Sequence, residues 1–182
     1  MIVVTGGAGF IGSNLAHRLA VEGEGPLLLV DRELTPAKAV NLAGLDDFLY
    51  LGHEKFITEL EAGRIDAREI FHLGACSDTT VQDWGFLARN NLEYTRRLWR
   101  WCADQGLPLV YASSAATYGD GSRGYDDDED LLPQLRPLNM YGYSKHMFDL
   151  WAWRNGLFKM IAGLKYFNVY GPRQEHKGEM RS

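Results

Sequence analysis

The chain has 182 residues, 46% of them hydrophobic and 24% charged, enough apolar material for one well-buried domain and too little for two full ones. A formal net charge of -5 without long basic runs excludes a protein built mainly to grip nucleic acid or an anionic membrane. Cys76 and Cys102 make neither a CxxC pair nor a secreted-type framework, so free thiols in a reducing cytoplasm are expected, and no apolar stretch approaches the length of a bilayer span.

Ile2 to Thr5 reads as a short buried strand, and Phe10 to about Glu22 as a helix with Ile11, Leu15 and Leu19 on one face. Leu27 to Val30 makes a second strand. A less regular stretch follows, with Phe48 to Leu51 a weaker strand signal, before Ile70 to Leu73 forms a strand ending in the small-residue turn Gly74-Ala75-Cys76-Ser77. One long helix is predicted from Trp84 to Ala103, stopped by Gly106 ahead of a strand at Pro108 to Ala112. Tyr141 to Asn155 is a further helix closed by Gly156, and Ile161 to Phe167 a last strand before Gly171-Pro172. Strands taking turns with helices imply an α/β fold, a doubly wound, Rossmann-like parallel sheet with helices on both faces.

Gly7-Ala8-Gly9-Phe10-Ile11-Gly12 follows the first strand and opens the first helix, which turns a weak GxGxxG match into a strong one; Gly6 adds a second glycine reading. Glycine permits the tight turn, missing side chains let backbone amides approach a diphosphate, and the helix N-terminus adds partial positive charge. Asp31, at the end of the second strand, stands where a carboxylate usually holds the adenosine ribose. It repels a 2'-phosphate, whereas Arg32 and Lys38 attract one; the balance favours NADP, with NAD the alternative.

Tyr141 and Lys145 are four apart on one predicted helix and share a face, and Ser113-Ser114 directly follow a strand, where open α/β sheets place ligands. A phenol titrating near 10 needs about 4 kcal/mol to move three units, which an ammonium about 4 Å away supplies at an effective dielectric near 20. Tyr141 can then take a proton from an alcohol as hydride leaves the same carbon, with Ser114 bonded to the oxygen. The acidic run Asp126 to Asp130 reads as a solvated loop without metal chemistry. Trp99, Trp101, Trp151 and Trp153 fall in pairs spaced by two, so each pair points to different faces, and packing against a second copy of the chain is one expected use.

The segments Thr5 to Asn14, Tyr111 to Gly119 and Tyr141 to Lys145 resemble the extended short-chain dehydrogenase/reductase superfamily. Pro137 to Lys145, and Tyr166 to Arg173 through His176-Lys177-Gly178, are similar to its ADP-L-glycero-D-manno-heptose 6-epimerase family, which makes a lipopolysaccharide-core precursor. The resemblance implies an epimerase that oxidises C6 of ADP-heptose to a transient ketone and returns the hydride to the opposite face. Lys177 would be a second acid/base beside Tyr141, because rotation of the carbonyl group moves its oxygen. It implies cofactor contacts from the glycine turn (Gly6, Gly9, Phe10, Ile11, Gly12), Asp31, Arg32, Lys38, His53, Leu73, Gly74, Ala75, Cys76, Ser77, Asn90, Lys145, Val169 and Lys177. Ser114, Asn168 and Glu179 would touch substrate. His53 stands where the family often has lysine, and Glu179 where it has a small hydroxyl residue. Members continue beyond the equivalent of Ser182, so 1–170 are expected to form the dinucleotide-binding domain and 171–182 the start of a substrate-binding region, leaving the chain alone poorly active. Another sugar-nucleotide 4-epimerase or dehydratase, or a non-catalytic dinucleotide-binding module, are the alternatives; a homo-oligomer is expected.

Overall fold

The structure, a computed structural model, describes residues 1–180, and of Lys177, Glu179 and Met180 only the backbone. It divides into two compact units, Met1–Gly74 joined by the segment from Asn168 onward, and Ala75–Phe167.

In the first unit β1 (Ile2–Thr5), β2 (Leu27–Asp31), β3 (Phe48–Gly52) and β4 (Glu69–His72) are parallel neighbours in the order β3-β2-β1-β4. β1 and β2 are buried along their whole length, which explains their unbroken apolar runs: a strand covered on both faces has no reason to alternate. Parallel pairing requires a crossover, and α1 (Phe10–Val21) supplies it, setting Ala16 and Leu19 into a core with Ile2, Val4, Leu27 and Leu29. The stretch expected to be irregular contains two further helices. α2 (Pro36–Ala39) starts where Thr35 accepts from Lys38 N–H ahead of a proline, and α3 (His53–Glu61) buries Phe56, Ile57 and Leu60.

In the second unit β5 (Leu109–Ser114) pairs in parallel with β6 (Ile161–Tyr166), with Ser113 opposite Lys165. The long helix expected from Trp84 is three pieces: α4 (Trp84–Leu87), a π-helical turn over Ala88–Glu93, and α5 (Tyr94–Gln105), ended by Gly106 in the left-handed region. A π turn inserts one residue into the helical repeat, which apolar periodicity does not reveal. α6 (Met140–Arg154) is capped by Asn139, whose Oδ1 accepts from Gly142 N–H at 2.8 Å. Trp99 is buried on α5, and Trp153 packs against Tyr118, Leu132 and Leu135 within the unit. The run from Asp126 to Asp130 is exposed, but only its first part is loop: Glu129 and Asp130 open a 3-10 helix over Glu129–Gln134. No helix among the described residues is long and apolar enough to cross a membrane.

Candidate functional site

At the end of β1 the chain turns through Gly6, whose φ of +68 lies in the left-handed region. The turn is closed by Gly9 N–H donating to Gly6 O (2.9 Å) and tied to β2 by Gly7 N–H donating to Val30 O (3.1 Å). α1 follows with Gly9 as its cap, so no cap side chain competes for the first amides of the helix. Backbone meets backbone closely here: a Cβ on Gly12 would lie 2.2 Å from Gly6 O, and one on Gly74 2.9 Å from Gly6 N. Thr5 holds that approach, its Oγ1 accepting from Gly74 N–H (3.1 Å) and standing 2.6 Å from Nδ1 of buried His72. Leu73, beside Gly74, is half-buried.

The Asp31 carboxylate is only 8% exposed and already engaged: it accepts from Ala8 N–H (3.2 Å) and Arg32 N–H (2.8 Å) and pairs with Lys38 Nζ (2.6 Å). The Arg32 side chain is exposed, and His53 opens α3 with Nε2 3.3 Å from the Glu54 carboxylate. Tyr50 on β3 was not singled out from sequence. Its buried hydroxyl has no hydrogen-bond partner among the described residues, and burial followed by the charges of Asp31 and Glu33 raises its pKa.

The segment beyond Asn168 returns to this unit and is gripped by two asparagines. Asn14 on α1 donates to Pro172 O (2.9 Å) and accepts from Arg173 Nη1 (2.9 Å). Asn41, 2% exposed, donates both to Ala8 O in the glycine turn (2.9 Å) and to His176 Nδ1 (3.0 Å). Asn168 is exposed and Val169 half-buried. The side chains of Lys177 and Glu179 lie outside the described residues.

In the second unit, Ser114 ends β5, accepting from Ala116 N–H (3.1 Å), and its side chain is near enough to the Tyr141 phenol to lower its pKa. Lys145, one turn along α6, is 3% exposed and donates from Nζ to Ala112 O (2.9 Å). Ser114, Tyr141 and Lys145 are thus brought together as expected, but the acidities differ from the sequence argument. Burial raises the Tyr141 pKa, against the lowering effect of Ser114, and burial also pushes the Lys145 ammonium down to about 8. The reason is desolvation, the largest influence on both groups, which disfavours the charged form of each.

Of the turn after β4, Ala75, Cys76 and Ser77 fall in this unit, Cys76 half-buried and Ala75 and Ser77 exposed. Cys76 is held by Asn91 in the π turn: Asn91 Oδ1 accepts from Cys76 N–H (2.9 Å), while Nδ2 donates to Cys76 O (3.0 Å) and Ser144 Oγ (2.8 Å). Asn90 instead donates back to Phe86 O (2.8 Å). Asn91 joins three segments and was missed from sequence, although an Asn-Asn pair inside a helix, where asparagine is a poor former, is a signal.

The first unit fits a dinucleotide, since its turn is one that added Cβ atoms would fill with backbone clashes. No cluster of acidic, histidine or cysteine side chains among the described residues could hold a metal ion. A parallel α/β chain with a glycine turn after its first strand, and a Ser–Tyr–Lys constellation at the end of a later one, defines the class: a Rossmann-like fold of the kind that handles nicotinamide dinucleotides. The chain belongs to the NAD dependent epimerase/dehydratase family, whose model matches residues 2–182.

Curated relatives narrow this. The chain is 48% identical over 184 residues to the ADP-L-glycero-D-manno-heptose-6-epimerase of Nitratidesulfovibrio vulgaris, covering 100% of this chain and 57% of that protein. It is 43% identical to the enzyme of the same name from Fusobacterium nucleatum, again over its whole length and 56% of the relative. The Helicobacter pylori ADP-L-glycero-D-manno-heptose-6-epimerase structure matches with a TM-score of 0.86 at 28% identity, over 100% of this chain and 59% of that one. A Bacillus cereus UDP-glucuronic acid 4-epimerase, solved in complex with NAD, matches with a TM-score of 0.75 at 26% identity, over 95% and 58%. The chain therefore spans little more than half the length of these relatives.

Proposed function

We propose that this chain is the cofactor-binding part of an NADP-dependent ADP-glycero-manno-heptose 6-epimerase, a cytoplasmic, homo-oligomeric enzyme of lipopolysaccharide-core precursor synthesis. On this reading 1–170 form the dinucleotide-binding domain and 171–182 open a substrate-binding region. The observation that carries the chemistry is the placing of Tyr141, with Ser114 beside its phenol, one helical turn from buried Lys145 on α6; the whole-chain identity to heptose epimerases supports the substrate.

The glycine turn, Asp31, Arg32, Lys38, Cys76, Asn90, Lys145 and Val169 would hold the cofactor. The pairing of Asp31 with Lys38 supports NADP over NAD, because a neutralised carboxylate repels a 2'-phosphate less. Bound there, the nicotinamide supplies the hydride acceptor and donor, and its positive ring offsets the raised pKa of Tyr141. Tyr141 takes the proton of the C6 hydroxyl and Ser114 steadies the oxygen, giving a C6 ketone. Rotation of the exocyclic carbonyl carries its oxygen away from Tyr141, and Lys177 then donates the proton that completes the epimer. Asn168 and Glu179 would contact the sugar nucleotide.

The test is to follow interconversion of the two ADP-heptose epimers by this chain and by a full-length protein carrying the same N-terminal residues. Tyr141→Phe should lower the full-length rate by about 100-fold or more while NADP binding persists. Absence of turnover in the full-length protein refutes the substrate. Lys177→Met should be as damaging as Tyr141→Phe; near-normal activity in that variant would favour a hexose 4-epimerase, in which one tyrosine suffices.

A further inference from the structure

Beneath the Tyr141–Lys145 face lies a charged group that the chemistry above does not use. Asp149, 2% exposed, follows Lys145 by one helical turn on α6. Its carboxylate accepts from Tyr111 Oη (2.5 Å), Ser113 Oγ (2.7 Å) and Lys165 Nζ (3.0 Å). The three donors come from adjoining strands in register: Tyr111 and Ser113 are two apart on β5 and share a face, and Lys165 on β6 is opposite Ser113. Lys165 is further seated by Thr117 Oγ1 (2.6 Å). Ala112, between the two β5 donors, accepts from Lys145 itself.

We infer that Asp149 is a positioning residue of this site, docking α6 on β5 and β6 and setting its negative charge one turn from the Lys145 ammonium, with Lys165 as the counter-charge that limits its effect there. The inference rests on the proposed role of Lys145.

A buried carboxylate one turn from a buried ammonium favours its charged form, and Asp149 acts on Lys145 in that sense more strongly than Cys76 does. The same carboxylate opposes ionisation of Tyr141, so removing it should move both groups to lower pH. The other titratable groups facing Asp149 are Tyr111 on β5, Lys165 on β6, Tyr118 after β5 and His146 on α6; Cys76 faces Tyr141 and Lys145, and Arg136 faces His146. Burial holds the Tyr111 phenol well above its ordinary value and drives His146 down to about 4, so neither changes charge near neutrality.

The test is a pH titration of lysine labelled with carbon-13 at Cε, followed by NMR in this chain, with the Lys145 signal assigned by its loss in Lys145→Met. Asp149→Asn should lower the Lys145 midpoint by about one pH unit, and Lys165→Met should raise it, because Asp149 then acts uncompensated. Asp149→Glu should restore the parent midpoint. Opposite shifts from two substitutions that both weaken the same network are not what a purely structural role gives. A Lys145 midpoint within roughly 0.3 unit of the parent in folded Asp149→Asn overturns the inference. If that variant fails to fold, an unchanged or lowered midpoint in Lys165→Met overturns it instead. This readout needs no turnover, so shifted midpoints here together with a full-length protein inactive on ADP-heptose would refute the proposed substrate while supporting Asp149.

Discussion

Alanine at Gly12 tests the glycine turn directly. The added Cβ would stand 2.2 Å from Gly6 O, 2.7 Å from Gly6 C and 3.0 Å from Gly7 Cα, all backbone atoms with no flexible end to swing aside. Ordinary contact lies near 3.5 Å, so the turn must open by roughly 1 Å. Overpacking of this kind costs about 1–3 kcal/mol, and the better helix propensity of alanine returns about 1 kcal/mol. The net loss of about 1 kcal/mol should lower the melting temperature by only about 2–4 °C in a chain of this size. Binding should suffer more, because each charge-assisted hydrogen bond lost from a diphosphate removes about 1.5–3 kcal/mol, or roughly 10- to 100-fold in affinity. Calorimetric titration with NADP, run beside thermal melts, separates the two effects. Gly52→Ala is the control: its φ is -64 and no heavy atom lies within 4 Å of the added Cβ, so neither quantity should change. A Gly12→Ala variant that binds NADP within about twofold of the parent would refute the reading of the turn as a diphosphate cradle.

Two further substitutions have expected outcomes. Burial lowers Lys145 from 10.5 to about 8, so between those values the unfolded chain binds more protons than the native one and stability rises with pH; below about 8 both states are protonated and the full cost, about 3 kcal/mol, is present. Lys145→Met should therefore melt higher than the parent at pH 7, by roughly 4–8 °C once the lost bond to Ala112 O is allowed for, with the gap closing toward pH 10. Asn91→Ala removes the bonds to Cys76 N–H, Cys76 O and Ser144 Oγ and should cost about 2–4 kcal/mol, seen as a lower urea midpoint at unchanged slope.

What the sequence made legible was local. β1, the glycine turn and α1 are contiguous, and each carries its own signal: a buried apolar run, a glycine pattern, a 3.6-residue stripe. The edges of β5 and α6 were placed within a few residues for the same reason, and Gly106 marked the end of α5 through its left-handed backbone. α3 was overlooked although Phe56, Ile57 and Leu60 have helical spacing, because it is only nine residues long and Gly52 offers no side-chain cap. The start of α2 carries a local signal too, a threonine cap directly ahead of a proline. Asn91 and Asp149 were not legible, since their importance lies in partners up to 53 and 38 positions away that only the folded chain assembles. The acidity of Tyr141 failed for a related reason: composition reports which charges exist, not how deeply each is buried.

The grip of Asn14 and Asn41 on the returning segment has a bearing on the order of events during synthesis. Their partners Pro172, Arg173 and His176 lie 158, 159 and 135 positions downstream. A nascent polypeptide must therefore carry an unsealed N-terminal layer, with Asn14 and Asn41 holding only their local acceptors Phe10 O and Ala8 O, until the intervening hundred-odd residues have emerged. Closures over such separations are entropically slow, so stalling translation before Asn168 should leave the first helix open to proteases that the finished fold turns away.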